Sequence, residues 1–105
     1  MPMSFPEMVD SRDGALRDRA IETIHRALDL GITFLDTSNI YAPSWDAVGH
    51  NERLIAEALR TYSGSADVSA IVVTTKGGLI RGEAETWGRD STRAGLIRAC
   101  EASLE

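Results

Sequence analysis

Three side chains capable of acid–base chemistry lie at or just after the ends of two apolar runs of the sequence. Asp36 ends the first run, and Tyr41 follows it by five residues. Lys76 ends the second run. If both runs are parallel strands, their carboxyl ends open into one crevice, where α/β folds carry their chemistry. A carboxylate, a phenol and an ammonium that meet there tune one another's pKa values, so the spacing predicts a site built from Asp36, Tyr41 and Lys76.

The size and charge of the chain limit the kinds of protein it can be. Its 105 residues make at most one small domain, and an apolar share of 43% is typical of a globular protein. The net charge is −5 and the basic residues are scattered, so the electrostatic footprint of a nucleic-acid-binding protein is missing. We therefore expect no nucleic-acid partner.

Cysteine usage and hydropathy indicate the compartment. Cys100 is the only cysteine, so no internal disulfide can form, as in proteins of a reducing cytosol. No apolar run approaches the ~20 residues that span a bilayer, and residues 1–8 lack the basic start of a signal peptide. The sequence predicts a cytoplasmic protein without a membrane partner.

The elements that must position the three side chains alternate between helix and strand. Residues 1–15 have no clear period and are predicted to be an irregular lead-in. Apolar residues at three- and four-residue spacing predict a helix over about 16–30, closed by Gly31, and a strand over 32–36 follows at once. After a loop, a second helix is predicted to begin near residue 50 with Asn51 as its N-cap.

The second half of the chain repeats this order. The β-branched run 68–75 is typical of a strand buried on both faces. Residues 77–90 are predicted to be a loop, and Ser91 is predicted to cap a third helix. The buried stripe expected for that helix consists of Leu96, Ile97, Cys100 and Leu104.

The order α-β-α-β-α, with strands too far apart for hairpins, implies parallel crossovers in an α/β fold. Two strands are too few for a parallel sheet that is buried on both faces. The pattern therefore predicts a partial (β/α)8 (TIM) barrel, about two to three β/α units of a fold whose usual size is ~250 residues. A flavodoxin-like sheet is the alternative, and it also needs more strands than the pattern supplies. We expect the chain to be incomplete.

Four segments, in this order along the chain, resemble the aldo-keto reductase family. They are AIETIHRALDLGITFLDTSNIY at 20–41, GHNERLIAEAL at 49–59, IVVTTKGG at 71–78 and RACEASL at 98–104. Members of this family are (β/α)8 barrels that transfer a hydride between NADPH (NADP) and an aldehyde or ketone. The resemblance thus implies a truncated NADP-dependent oxidoreductase domain over residues 1–105, with NADPH as cofactor and a small carbonyl compound as substrate.

The resemblance also implies a role for each of the three residues. It makes Tyr41 the general acid that protonates the carbonyl oxygen as hydride reaches the carbon. Free tyrosine titrates near ~10, and an adjacent ammonium favours the phenolate, which is the role implied for Lys76. Asp36 would keep Lys76 charged and oriented, and it is also a candidate contact to the cofactor. The family's catalytic histidine is expected beyond Glu105, so we expect a weakly active or inactive fragment of a carbonyl reductase.

Simpler interpretations stand beside several of these residues. A carboxylate and a lysine at two strand ends often form only a structural ion pair. His25 is most simply a helix-face histidine, and His50 is expected to cap the second helix, with a substrate contact as the alternative. Trp45 and Trp87 either line an apolar substrate pocket or cover the top of the barrel. Cys100 is expected to be a small core residue.

Two other functions are compatible with the same pattern. The chain could be a non-catalytic binding or assembly module that self-associates through its open sheet edges. It could also be a barrel enzyme of unrelated chemistry, which would make the ordered match of the four segments a coincidence.

Overall fold

The computed structural model describes residues 14–105. Its first helix, α1 (Gly14–Asp29), forms because apolar residues such as Ile24 and Leu28 recur along one face and are buried there. Gly31 closes the helix in the left-handed conformation, with φ of 93°, and its N–H donates to the Leu28 carbonyl at 3.0 Å. The irregular lead-in predicted for residues 1–15 lies outside the described residues, except that residues 14 and 15 begin α1.

Two short parallel strands carry the predicted site at their ends. β1 (Phe34–Asp36) pairs with β2 (Val72–Thr74), and Asp36 lies opposite Thr74. Side chains alternate across a strand, so Leu35 faces the helices, where it is buried, while Asp36 faces the opposite side. The predicted parallel pairing is confirmed, although β1 is shorter than the predicted strand.

A second helix, α2 (His50–Thr61), packs against α1 over the buried side of the strand pair. The core of buried side chains consists of Ile24, Leu28, Leu35, Ile55 and Ala58. Beyond this core, the Tyr62 hydroxyl donates to Asp29 Oδ1 at 2.6 Å and joins the ends of the two helices. The two helices therefore cover this face of the strand pair at Leu35 of β1, whereas Val73 of β2, which lies beside Leu35, is 43% exposed.

The run predicted as one strand, 68–75, is interrupted by a 3₁₀ turn. Val68–Ala70 form this turn because the Asp67 carboxylate accepts hydrogen bonds from the Ser69 N–H at 3.0 Å and from its hydroxyl at 2.6 Å. The strand prediction is wrong for these residues, since a β-branched pattern does not report a neighbouring carboxylate that competes for backbone N–H groups. The expected burial on both faces is also wrong in this chain, because Val72 is 51% exposed.

Residues 77–90 contain a β-hairpin where the sequence predicted a loop. β3 (Leu79–Gly82) and β4 (Thr86–Arg89) pair in antiparallel fashion. The turn between them contains Ala84 and Glu85 at positive φ of 55° and 59°. Hairpins are usually signalled by Asn-Gly, Asp-Gly or Gly-Gly at such positions, so this turn has no recognisable sequence signature.

The start of α2 is tied to the loop that carries Tyr41. Gly49 precedes the helix with φ of 87°, a left-handed conformation that glycine adopts without steric cost. The predicted caps, Asn51 and His50, are wrong, because both residues lie in the first helical turn and no side chain caps the helix. Asn51 is fully buried instead, and its backbone N–H donates to the Tyr41 carbonyl at 3.1 Å.

The third helix, α3 (Arg93–Leu104), begins after Thr92, whose hydroxyl accepts the Gly95 N–H at 3.0 Å. The predicted cap, Ser91, lies one residue too early. The stripe predicted to be buried is exposed at Leu96, Ile97, Cys100 and Leu104. Periodicity locates one face of a helix, whereas the burial of that face depends on what packs against it.

The described part of the chain is therefore an α/β arrangement of three helices, one parallel strand pair and one antiparallel hairpin. Within residues 14–105, none of the helices has the length and apolar character required to cross a bilayer.

Candidate active site

The ends of the two parallel strands bring Lys76 and Asp36 together. The Lys76 Nζ donates to Asp36 Oδ2 at 2.6 Å and to the Thr37 carbonyl at 2.7 Å. The Thr74 hydroxyl donates to the other carboxylate oxygen, Oδ1, at 2.9 Å. The Asp36 carboxylate is thus oriented by Thr74 at the end of β2 and by Lys76, two residues after that strand, as expected where parallel strands end side by side.

The ion pair sets the charges of both groups. The Lys76 ammonium, with a smaller contribution from the Thr74 hydroxyl, lowers the pKa of Asp36. The Asp36 carboxylate raises the pKa of Lys76, against a smaller opposing effect of burial. Asp36 is therefore an anion and Lys76 a cation at neutral pH. Each side chain is 48% exposed, which leaves the pair accessible from solvent.

Tyr41 lies in the loop after β1 with its ring near the ammonium. The Lys76 Nζ is 5.3 Å from the ring centroid, within the range of a cation–π contact. The Tyr41 N–H donates to the Ser38 carbonyl at 3.2 Å, and the Tyr41 carbonyl accepts the Asn51 N–H. The structure thus brings Asp36, Tyr41 and Lys76 into one cluster.

The two histidines have other surroundings. His25 lies on α1 and donates from Nε2 to the Ala58 carbonyl at 2.7 Å, with its ring edge-on to Tyr62. It ties α1 to α2. Burial lowers the pKa of His50, and the nearby Arg53 lowers it further. In residues 14–105, His, Cys, Asp and Glu side chains form no group of three that could hold a metal ion.

Two tryptophans and the cysteine are partly or wholly exposed. Trp87 lies on β4 rather than in a loop, and its ring centroid is 5.0 Å from the Arg81 guanidinium carbon. Trp45 lies in a 3₁₀ turn of the loop after Tyr41. The core assignment of Cys100 is wrong, since the residue is exposed and lines an apolar cavity of about 310 Å³ between α2, β2 and α3.

Arg81, on β3, contacts the Tyr41 loop although no sequence pattern indicated it. Its side chain is 4% exposed, and Nη1 donates to the Ile40 carbonyl at 3.2 Å and to the Ala42 carbonyl at 2.7 Å. These carbonyls belong to the residues on either side of Tyr41. A long-range contact from a side chain to backbone groups has no motif, so only the fold reveals it.

Comparison with known proteins gives a family match that covers most of the chain. Residues 10–105 match the family model described as the aldo/keto reductase family. The chain belongs to the aldo/keto reductase family. An uncharacterized oxidoreductase of Schizosaccharomyces pombe is 34% identical over 71 residues, which are 68% of this chain and 20% of that protein. The matched segment thus spans about a fifth of that relative's length.

Membership of this family supports the interpretation of the protein as an oxidoreductase and implies a TIM-barrel fold. The α/β arrangement with short parallel strands is consistent with part of such a barrel. Aldo/keto reductases generally use a reduced nicotinamide cofactor, and in barrels of this kind the chemistry lies at the carboxyl ends of the strands. The cluster of Asp36, Tyr41 and Lys76 lies at that end.

Proposed function

We propose that this chain is part of an NADPH-dependent reductase that converts aldehydes or ketones to alcohols, with Tyr41 as the proton donor. The observation that carries the proposal is the convergence of Asp36, Tyr41 and Lys76 after two parallel strands in a chain of this family. A structural ion pair would need only Asp36 and Lys76. The phenol beside the ammonium is the feature that favours acid–base chemistry.

Each side chain has a separate part in the proposed proton transfer. The Tyr41 hydroxyl donates its proton to the carbonyl oxygen as that oxygen gains electron density. The Lys76 ammonium, 5.3 Å from the ring centroid, stabilises the negative charge left on the phenol oxygen. Asp36 keeps Lys76 charged and in place through the 2.6 Å contact. A bound reduced nicotinamide would supply the hydride.

The polar groups around Asp36 fit a cofactor that carries hydroxyl groups. The carboxylate accepts from Lys76 and from the Thr74 hydroxyl, and a hydroxyl group of a cofactor is a donor of the same kind as Thr74. The Asp36 side chain is 48% exposed, so a cofactor can reach it from solvent. We therefore propose Asp36 as a contact to the cofactor. The sequence contains neither Gly-x-Gly-x-x-Gly nor Gly-x-x-x-x-Gly-Lys, so no phosphate loop of those kinds is proposed.

We further propose that the described elements are about two to three β/α units of a (β/α)8 barrel. The helices cover one face of the β1–β2 pair, while Phe34 is 57% and Val72 is 51% exposed on the other face. In a barrel this second face points inward and is packed by side chains of other strands. The barrel therefore accounts for apolar side chains on a face that the described helices leave open.

A turnover assay tests the reductase proposal directly. The purified chain is incubated with NADPH and para-nitrobenzaldehyde, and both the absorbance of NADPH and the amount of para-nitrobenzyl alcohol are followed. We expect one alcohol to form for each NADPH oxidised, and we expect Asp36→Asn to slow this reaction. Asp46→Asn, which changes an exposed carboxylate outside the cluster, serves as the matched control. Absence of alcohol would show that this part of the reductase does not turn over alone, whereas alcohol formation that Asp36→Asn slows no more than Asp46→Asn does would contradict the proposed site.

A second candidate function is a non-catalytic assembly module, favoured by the same open strand pair. Among residues 14–105, no further strand pairs with either edge of the β1–β2 sheet, and such edges bind other strands. The partner that we propose is a second copy of this chain, joined through those edges. Size-exclusion chromatography with light scattering decides the question, because a monomer at every concentration would contradict self-association.

A further inference from the structure

One arginine of the β3–β4 hairpin contacts the backbone on both sides of Tyr41. Arg81 Nη1 donates to the carbonyls of Ile40 and Ala42, at 3.2 Å and 2.7 Å. We propose that Arg81 is a positioning residue that fixes Tyr41 against Lys76, an inference that rests on the function proposed above. Arg81 does not touch the reacting atoms in this proposal, since it acts only through the backbone of the loop.

Burial makes this double contact costly to lose. The Arg81 side chain is 4% exposed, while Ile40 is 5% and Ala42 0% exposed. A guanidinium removed from water must be hydrogen-bonded, and buried carbonyls need donors for the same reason. The planar, rigid donor groups of arginine suit two neighbouring acceptors, whereas an ammonium is a compact point charge on a flexible stem. Loss of Arg81 would therefore remove the side-chain contacts that hold the loop on both sides of Tyr41 and leave only its backbone hydrogen bonds, such as those of Tyr41 to Ser38 and Asn51.

The hairpin also supplies the groups that keep Arg81 in place. The Glu85 carboxylate forms an ion pair with Arg81 and accepts the Trp45 N–H at 3.0 Å. The ring of Trp87 lies 5.0 Å from the guanidinium carbon. Glu85 has a φ of 59°, a conformation that a residue other than glycine keeps only where its contacts over-determine it. The hairpin thus contacts the loop at Trp45 as well as beside Tyr41.

A fixed backbone matters for Tyr41 because this residue lies in a loop, whereas Asp36 ends a strand and Lys76 follows one closely. A misplacement of about 1 Å can lower a rate by ~10²-fold. Loss of Arg81 is expected to separate the phenol from the ammonium and to leave the Asp36–Lys76 ion pair intact. That selective effect distinguishes positioning from general destabilisation.

The first test uses nuclear magnetic resonance on the whole chain without cofactor. Arg81→Met should abolish the nuclear Overhauser effect between the Lys76 side chain and the Tyr41 ring. It should also speed hydrogen exchange of the Tyr41 amide, which donates to the Ser38 carbonyl, by at least about tenfold, because the loop should open more often once the neighbouring Arg81 hydrogen bonds are lost. The Thr37 amide, which donates to the neighbouring strand at 2.8 Å, should exchange as in the wild type. Arg89→Met changes an exposed arginine of the same hairpin and should have no effect.

Two further variants keep the proposal testable if Arg81→Met does not fold. Arg81→Lys should restore part of the protection of the Tyr41 amide. Glu85→Gln removes the charge beside Arg81 but keeps an oxygen for the Trp45 N–H, and it should cause the same changes to a smaller extent. If Arg81→Met unfolds the chain, the amide exchange and the Overhauser effect measured in these two variants decide whether Arg81 positions Tyr41. An unchanged Overhauser effect and unchanged exchange in the variants that fold would overturn the proposal.

The second test separates this proposal from the proposed function. In the carbonyl-reduction assay, Arg81→Met should lower kcat by ~10²-fold with little change in KM, because the loop positions the proton donor. Arg81→Lys should recover part of kcat. If the wild-type chain gives no turnover, the proposed function fails for this chain, while the resonance experiment still decides the role of Arg81. Equal losses in Arg81→Met and Arg89→Met would also overturn the positioning role.

Discussion

The Lys76→Met variant measures how much the ammonium contributes to proton transfer. With the phenolate charge placed at the Tyr41 ring centroid, 5.3 Å from Nζ, two unit charges attract by about 0.8 kcal/mol in bulk water and by about 3 kcal/mol at an effective dielectric constant of ~20. The side chain of Lys76 is 48% exposed, so the lower part of this range applies. Converted to rates, this range corresponds to a loss in kcat of about 4-fold to about 150-fold, with the lower values expected.

The dependence of kcat on salt identifies the electrostatic part of this loss. Methionine replaces the ammonium with an uncharged group of similar length, so contacts of the aliphatic stem are largely kept. Salt screens exposed charges, and the wild-type kcat should therefore fall toward that of Lys76→Met as ionic strength rises, while the variant changes little. Arg89→Met controls for the loss of any surface cation. A wild-type kcat in Lys76→Met, or the same salt dependence in both proteins, would refute this role of the ammonium.

Other predictions concern the core, protonation and the hairpin turn. Leu35→Ala should lower the free energy of unfolding in urea by about 2–5 kcal/mol because the side chain is 1% exposed, whereas Leu30→Ala, at a position 68% exposed, should stay within about 0.5 kcal/mol of the wild type. The pKa of Asp36 is lowered, so its pairing with Lys76 stabilises the fold above the unfolded-state pKa and is lost as pH falls through the folded-state pKa. A carboxyl ¹³C titration of Asp36 with its midpoint at or above ~3.9 would contradict that sign. Ala84→Gly should raise the thermal midpoint because alanine at φ 55° carries a left-handed strain of about 1–2 kcal/mol, and a lower midpoint would show that no strain is relieved.

The helices and strands around the candidate site can be predicted from local sequence patterns. Apolar spacing locates α1 and α2, and Gly31 closes α1 as predicted. The parallel pairing of two strands then places Asp36 beside Lys76, because the carboxyl ends of parallel strands lie at one edge. The Asp36–Lys76 pair was predictable because it depends on strand order, whereas the position of Tyr41 in its loop also depends on packing contacts such as those of Arg81.

The remaining features depend on contacts that no local pattern records. The 3₁₀ turn at Val68–Ala70 exists because one carboxylate, that of Asp67, competes for backbone N–H groups. The exposure of Val72 depends on which elements cover the strand pair. Arg81 donates to backbone carbonyls that are distant in the sequence. Its proposed role in positioning Tyr41 can be inferred only from the contact between the hairpin and the Tyr41 loop.

A comparison of two tyrosine variants tests the central claim most directly. Tyr41→Phe removes only the proposed proton donor, and Tyr62→Phe removes the other tyrosine hydroxyl of the chain, which donates to Asp29. The measurement is kcat for alcohol formation from para-nitrobenzaldehyde with saturating NADPH. We expect Tyr41→Phe to lose roughly 10²- to 10⁴-fold in kcat and Tyr62→Phe to keep the wild-type value. A Tyr41→Phe variant that turns over at the wild-type rate would contradict the role of Tyr41 as general acid.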